Sequence, residues 1–370
     1  MSRSGRRVAI VTGARAEYGL LRPVMRAVVE ADLDLFIVAS GTHLSPAHGN
    51  TVHEIEADGF EVAARVEVLP DADTPAATAR AIGRGVVGFT DAFENLDPEI
   101  VLVLGDRSEI FAAATAAAAT RRVLAHIHGG DRTRGGLDES YRHAITKLSH
   151  VHFAASDASR ERIVAMGEPA NSVHSVGAPG LDSLRSFEPF SRLEIAARLG
   201  VELPTPFVVV IQHAVSSDPA SAAEQIRTTL RAIDRCQVPA VVVRPNNDPG
   251  GQRVNEVIDE YTGETPLHVF ANLEHDLFLS LLTHTHALIG NSSCGIIEAP
   301  SLGLPVVDIG TRQNGRERAD NVIAVDHEPN AIAAALNRAV HDDTFRERAR
   351  HVTSPYGDGR ASERIASILS

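Results

Sequence analysis

Cysteine is nearly absent from this chain of 370 residues: only Cys236 and Cys294 occur. Neither a disulfide framework nor a cysteine zinc site can therefore be argued. Long apolar runs are missing as well, and no stretch approaches the ~20 apolar residues of a membrane span. Near the N-terminus the apolar run after Arg7 ends before Gly13 and Arg15, short of the roughly 7–15 residues of a signal-peptide core. Positive charge is in deficit, with a net charge of −13. Nucleic acid and acidic membrane surfaces are thus poor general partners, and an anionic small substrate would need local arginines. The glycines after the first apolar segment are not spaced G-x-G-x-x-G, so dinucleotide binding is not supported. These absences together predict a soluble, cytoplasmic protein without nucleic-acid or membrane partners.

What is present is ordinary for a soluble globular protein, with 44% hydrophobic and 22% charged residues. The length predicts two domains. Apolar strands read at Arg7–Val11, Leu35–Ala39, Ile100–Leu104, Val123–Ile127, Val151–Ala154 and His174–Val176, with helices between them, including the alanine-rich Phe111–Thr120. Prolines 179, 189, 204 and 206 mark a crossing, after which strands resume at Phe207–Ile211, Ala240–Val243, Leu267–Phe270, Ala287–Ile289 and Val306–Ile309. Alternating β and α with near-continuous apolar strands predicts parallel sheets covered on both faces. The fold class is α/β, two doubly wound Rossmann-like domains with a deep cleft. Domain boundaries are expected at residues 1–180 and 181–355, with a last helix within 356–370 returning to the first domain.

The stretch Val123–Leu148 organises the first half. A buried strand breaks at Gly129-Gly130, and a helix is expected to start at Asp138 as its N-cap. Asp138, Arg142 and Ile145 then recur at helical spacing. Asp131 and Asp138 bracket a glycine-rich loop beyond the carboxyl end of a strand, where ligands bind in open α/β sheets. Asp106 stands at another strand end, either capping the next helix or as a third acid aimed at the same crevice. His126-x-His128 has the spacing of a metal pair on a strand, against a core histidine beside a hydrogen-bonding one. In the second half, Ile289-Gly-Asn-Ser-Ser-Cys-Gly-Ile-Ile-Glu298 reads as a strand ending in small residues, with a helix from about Ser292. Its amides and the Ser292 and Ser293 hydroxyls would form an anion site, and Glu298 would accept from ribose hydroxyls. His213, Arg244, Arg312 and Arg316 follow neighbouring strands, and Arg15 follows the first; each arginine is equally a phosphate ligand or a structural ion pair. Cys294 is a candidate thiol at a helix start or a small apolar filler.

GARAEYGLLRP near the start, GDRSE at 105, HIHGGDRTRGGLDESYRHAITKLSH at 126, RPNNDPG at 244 and IGNSSCGIIEAPSLGLPVVDIGTRQNGR at 289 resemble the UDP-N-acetylglucosamine 2-epimerases, more closely their hydrolysing branch. The resemblance spans about residues 7–325. It implies the two-domain fold of the GT-B glycosyltransferases, no metal and no cofactor, and assembly as a dimer or tetramer. It further implies elimination of the nucleoside diphosphate through a 2-acetamidoglucal, then hydration to free N-acetylmannosamine for sialic-acid-type sugars. By motif match, Asp106, Asp131 and Asp138 fall on catalytic acids, and His213 is counted with them while lying at a nucleotide-binding position. Arg15, Asn246, Phe270, Gly290, Ser292, Ser293, Glu298 and Arg316 complete the substrate set, with Arg142 and His143 on the helix carrying Asp138. Asp131 stands where the family usually has Glu, Ala214 where Pro is usual, and Arg244 where Tyr is more typical. UDP-N-acetylglucosamine is the first expected substrate. The alternatives are a GDP-linked or 4-amino-modified sugar, a non-hydrolysing epimerase, and a non-catalytic nucleotide-sugar sensor.

Overall fold

The structure, a computed structural model, describes residues 5–370 except 73, 133–136, 186, 216–217 and 246–249, with the backbone only at Ala47. The chain forms two compact units. The first comprises residues up to Asp131, then Leu137–Arg185 and Tyr356–Ser370; the second comprises Arg132–Gly136 and Ser186–Pro355.

In the first unit the strands are β1 (Arg7–Thr12), β2 (Asp34–Ser40), β3 (Val62–Val66), β4 (Ile100–Leu104), β5 (Val123–Ile127), β6 (Val151–Ala154) and β7 (Val173–Ser175). The helices between them are α1 (Arg15–Glu30), α2 (Val52–Ala57), α3 (Pro75–Leu96), α4 (Ser108–Ala119), α5 (Leu137–Leu148) and α6 (Asp157–Ala165), followed by α7 (Asp182–Arg185). The strands pair in parallel in the order β3-β2-β1-β4-β5-β6-β7. All five residues of β4 are buried, as a strand covered on both faces requires. The alanine-rich sequence of α4 has a packing cause. Ala112, Ala113, Ala116 and Ala117 are fully buried, and a Cβ on Gly85 of α3 would stand 2.9 Å from the Ala112 methyl.

The second unit holds α8 (Arg192–Leu199), β8 (Val208–Ile211), α9 (Ala222–Cys236), β9 (Ala240–Val243), α10 (Gly251–Asp259), β10 (Leu267–Phe270), α11 (His275–His284), β11 (Ala287–Gly290), β12 (Val306–Ile309), β13 (Val322–Val325), α12 (Pro329–His341) and α13 (Asp343–Arg350). Its sheet is also parallel, in the order β10-β9-β8-β11-β12-β13. Separate apolar clusters cover its two faces, one around Val208, Val210 and Ile289, the other around Val209, Ile211 and Leu288. The last helix, α14 (Ala361–Leu369), belongs to the first unit. Its Ile365, Ala366 and Leu369 join Leu21, Met25 and Val28 of α1 in one core, and the Asp182 carboxylate accepts from its first amides.

The sequence reading missed β3 and β13. Both lie at sheet edges, and each is mostly half-buried, so neither shows the continuous apolar run that marked the central strands. Each sheet reverses its winding once, between β1 and β4 and between β8 and β11. The carboxyl ends of those strands are where ligands enter doubly wound folds.

Candidate active site

In the first unit, β4 ends at Gly105, whose φ of +78° turns the chain sharply and delivers Asp106 to the sheet edge. Asp106 does not cap α4, whose N-cap is Arg107. Its carboxylate pairs with the guanidinium of Arg142, whose side chain is 4% exposed. The same guanidinium donates from Nη1 to the Asp131 carbonyl at 2.8 Å. One arginine on α5 thereby ties the end of β4 to the loop after β5, a planar fork serving two acceptors at once.

Asp131 is 6% exposed, and both its oxygens accept hydrogen bonds. Ser159 Oγ donates to Oδ1 at 2.8 Å, and His128 Nδ1 lies 3.0 Å from Oδ2. Gly130 ahead of it has φ +74°, and a Cβ there would meet the Ser159 carbonyl at 2.4 Å; only glycine fits. Arg162 donates to the Gly130 carbonyl. Asp138 departs from its expected place. Helix α5 starts at Leu137, so Asp138 lies exposed within the first turn rather than at the N-cap, a favourable position for an acid near a helix N-terminus.

The two histidines do not share a face. His126 is in β5 and fully buried; its Nε2–H donates to the Gly105 carbonyl at 2.8 Å, and its Nδ1 is 3.3 Å from Thr146 Oγ1. Burial pushes the His126 imidazole down to about 4, so it is neutral. His128 lies beyond the strand end with φ +65°, and this left-handed residue breaks the alternation on which a metal pair would depend. Among the described residues no group of three or more His, Cys, Asp or Glu side chains is placed to hold a metal ion.

At the carboxyl end of β1, Glu17 and Glu109 are 6% and 7% exposed. Glu17 Oε2 accepts from the Gly13 amide at 2.7 Å. Arg107 Nε stands 3.0 Å from Glu109 and 3.8 Å from Glu17. Burial, then the neighbouring Glu109, push the Glu17 carboxyl up to about 8. Nothing in the residue pattern announced this pair. Arg15 at the same edge forms an ion pair with Glu54 at 3.0 Å, the structural alternative of its two readings.

In the second unit, β8 and β11 end side by side. Gly290 has φ +129°, and a Cβ there would lie 2.0 Å from the Ile211 carbonyl oxygen. Asn291, which sequence reasoning passed over, is 1% exposed. Its Oδ1 accepts from the His213 amide at 2.7 Å and its Nδ2 donates to the His213 carbonyl at 2.9 Å. The side chain thus takes the place of a ladder partner and fixes the His213 backbone where β8 has ended. Its own carbonyl accepts from Gln313 at 2.8 Å and Arg312 at 3.3 Å, drawing in the loop after β12. Ser292, Ser293 and Glu298 follow Asn291, each half-buried.

The expected helix from Ser292 is not there. Short 3₁₀ turns span Ser293–Gly295 and Ala299–Leu302, because Pro300 has no N–H with which to continue the Ile297 and Glu298 bonds to Ser293 and Cys294. The full helix-dipole argument for an anion site lapses; the hydroxyls remain. Cys294 is a buried filler, its thiol pushed up to about 12 by burial and by Glu298. Arg244 is held by Asp259 and Asn255 of α10. Phe270 ends β10 half-buried, and Asn246 lies outside the described residues. Arg316 Nε donates to the Arg132 carbonyl at 3.1 Å. Asp308, buried at the end of β12, accepts from Arg318 at 2.6 Å.

The family described as UDP-N-acetylglucosamine 2-epimerase matches residues 26–370. The UDP-N,N'-diacetylbacillosamine 2-epimerase (hydrolyzing) of Legionella pneumophila is 39% identical over 98% of this chain and 95% of its own. The GDP/UDP-N,N'-diacetylbacillosamine 2-epimerase (hydrolyzing) of Campylobacter jejuni is 31% identical over 90% of this chain and 88% of its own. The fold matches the crystal structure of UDP-GlcNAc 2-epimerase from Neisseria meningitidis bound to UDP-GlcNAc, with a TM-score of 0.82 at 20% identity, covering 98% of this chain and 99% of that one. No helix among the described residues is long and apolar enough to cross a membrane. The chain belongs to the UDP-N-acetylglucosamine 2-epimerase family.

Proposed function

We propose that the chain is a hydrolysing 2-epimerase of a UDP-linked 2-acetamido sugar, with UDP-N,N'-diacetylbacillosamine ahead of UDP-N-acetylglucosamine as its substrate. The 39% identity across 98% of the chain to an enzyme of that description carries the reading. It reverses the order of substrates expected from the motifs alone.

The residues support the chemistry. A C2 hydrogen beside an acetamido group is weakly acidic, so its removal needs a positioned base, and inversion needs a second group to return a proton on the other face. The polar loops after β4 and β5 and the start of α5 bring Asp106, Asp131 and Asp138 to the carboxyl edge of one sheet. An acid–base group positioned at that edge contributes about 10²–10⁴-fold. The leaving diphosphate needs hydroxyl and cationic donors, for which Ser292, Ser293, Arg312 and Arg316 stand on the second unit, with Glu298 suited to ribose hydroxyls.

The test is NMR of the protein with each UDP-sugar in heavy water. Free 2-epimer carrying deuterium at C2, together with UDP, is the expected result. Deuterium in a sugar still linked to UDP would refute hydrolysis. UDP binding with no exchange on any UDP- or GDP-linked sugar would leave a sensor.

A further inference from the structure

Of the two histidines around β5, His126 is consumed by structure and His128 is not. His126 has no exposed surface, and both its nitrogens face protein groups. His128 keeps 11% of its side chain exposed. Only its Nδ1 is engaged, on Asp131 Oδ2 at 3.0 Å, and Nε2 makes no hydrogen bond among the described residues. A carboxylate can only accept, so Nδ1 carries the hydrogen, and in the neutral imidazole Nε2 then presents a lone pair. This is the geometry of a base with its orienter.

The mounting is rigid. The His128 amide donates to the Phe153 carbonyl at 3.1 Å, and the Gly130 and Asp131 carbonyls are held by Arg162 and Arg142. Asp131 is itself poorly placed to meet a sugar: it is 6% exposed, and each oxygen already accepts a hydrogen bond. The left-handed φ of His128, +65°, is uncommon for a non-glycine residue, though histidine is among those that adopt it.

We propose that His128 is the base that removes the C2 proton and that Asp131 acts through it, as a positioning residue, rather than on the sugar. The inference rests on the 2-epimerase reading. Nε2 takes the proton, the C2–H electron pair becomes the C1=C2 double bond, and the C1–O pair leaves with the nucleoside diphosphate. The imidazolium formed is paired with the Asp131 carboxylate and passes its proton to solvent. In hydration, water supplies the hydroxyl at C1, and a different acid protonates C2 from the opposite face.

The backbone at residue 128 decides the variants. Glycine and asparagine tolerate a left-handed φ, so His128→Gly and His128→Asn remove the imidazole without adding strain. Both are expected to lose about 10²–10⁴-fold in kcat and in C2 deuterium exchange, with UDP affinity unchanged. Added imidazole is expected to restore turnover to His128→Gly in a saturable way, a result that a purely structural role cannot give. Asp131→Asn, which keeps shape but offers an N–H to Nδ1, is expected to lose a comparable factor by favouring the wrong tautomer. Wild-type exchange in His128→Asn, absence of imidazole rescue, or an unimpaired Asp131→Asn would each overturn the proposal. Wild-type protein that exchanges no C2 proton on any nucleotide sugar would instead bring down the 2-epimerase reading beneath it.

Discussion

The buried carboxyl of Glu17 makes stability depend on pH in a direction opposite to that of most acids. Its Oε2 accepts from the Gly13 amide at 2.7 Å, while Oε1 has no hydrogen-bond partner among the described residues. Burial, then Glu109, raise it from an ordinary 4.5 to about 8, with Arg107 opposing. A raised folded value means that the native state holds a proton that the unfolded chain releases. The contribution is therefore level below the unfolded value of 4.5, falls as pH rises toward the folded value of about 8, and levels off above it. Between pH 6 and 9 the linkage relation gives a loss of about 3 kcal/mol from this group. Glu17→Gln is neutral at every pH, nearly isosteric, and keeps an oxygen for Gly13. It should escape that loss. Urea unfolding of both proteins at pH 6, 7.5 and 9 should show the variant gaining on the wild type by about 3 kcal/mol over the range; titrating groups remote from Glu17 are common to both and cancel, and Glu109, which interacts with it, is part of the same effect. Parallel stability curves would refute the reasoning, because they would mean that Glu17 is ionised in the folded protein.

Two other perturbations test the sheet edges. Gly290→Ala puts a methyl 2.0 Å from the Ile211 carbonyl at a φ of +129° and should cost about 3 kcal/mol or more, with weaker UDP binding by calorimetry beside the lowered urea midpoint. Arg142→Met keeps the apolar stem but removes the fork that joins Asp106 to the Asp131 carbonyl. Breaking a buried ion pair costs up to about 3–5 kcal/mol, and the 20% exposure of the Asp106 side chain should hold the loss to the lower part of that range. Exchange at C2 should fall by about 10²-fold through misplacement of the β5 loop, while UDP affinity stays intact.

The substrate order is one place where the motifs left alternatives open. They named the family and the branch and put UDP-N-acetylglucosamine first with a 4-amino-modified sugar among the alternatives, and the relative 39% identical to the chain is described as acting on UDP-N,N'-diacetylbacillosamine. Substituents on the sugar are read by a few side chains set by loop geometry, and no short motif encodes that.

Much was determined by sequence alone. Runs such as Ile100–Leu104 and Val208–Ile211 are apolar without interruption, and only a strand covered on both faces sustains that; parallel sheets with helices on each side follow, and so does the placing of Asp106, Asp131, His213 and Gly290 at strand ends. Glycine at 130 and 290 marked turns that no side chain could occupy. What the tertiary structure decided is which of those ends meet. Arg142 and Asp106 are 36 residues apart, Ser159 and Asp131 28, and Asn291 and His213 78. Each contact depends on strand order, which periodicity does not record, because burying one apolar strand beside another satisfies the pattern whichever neighbour it has. The left-handed turn at His128 belongs to the same class, its amide held by the Phe153 carbonyl of another strand, so a local reading could place that residue at the edge but not say which way it would face. The loss of the helix at Ser292 is different: Pro300, close by in the chain, lacks the N–H to continue it.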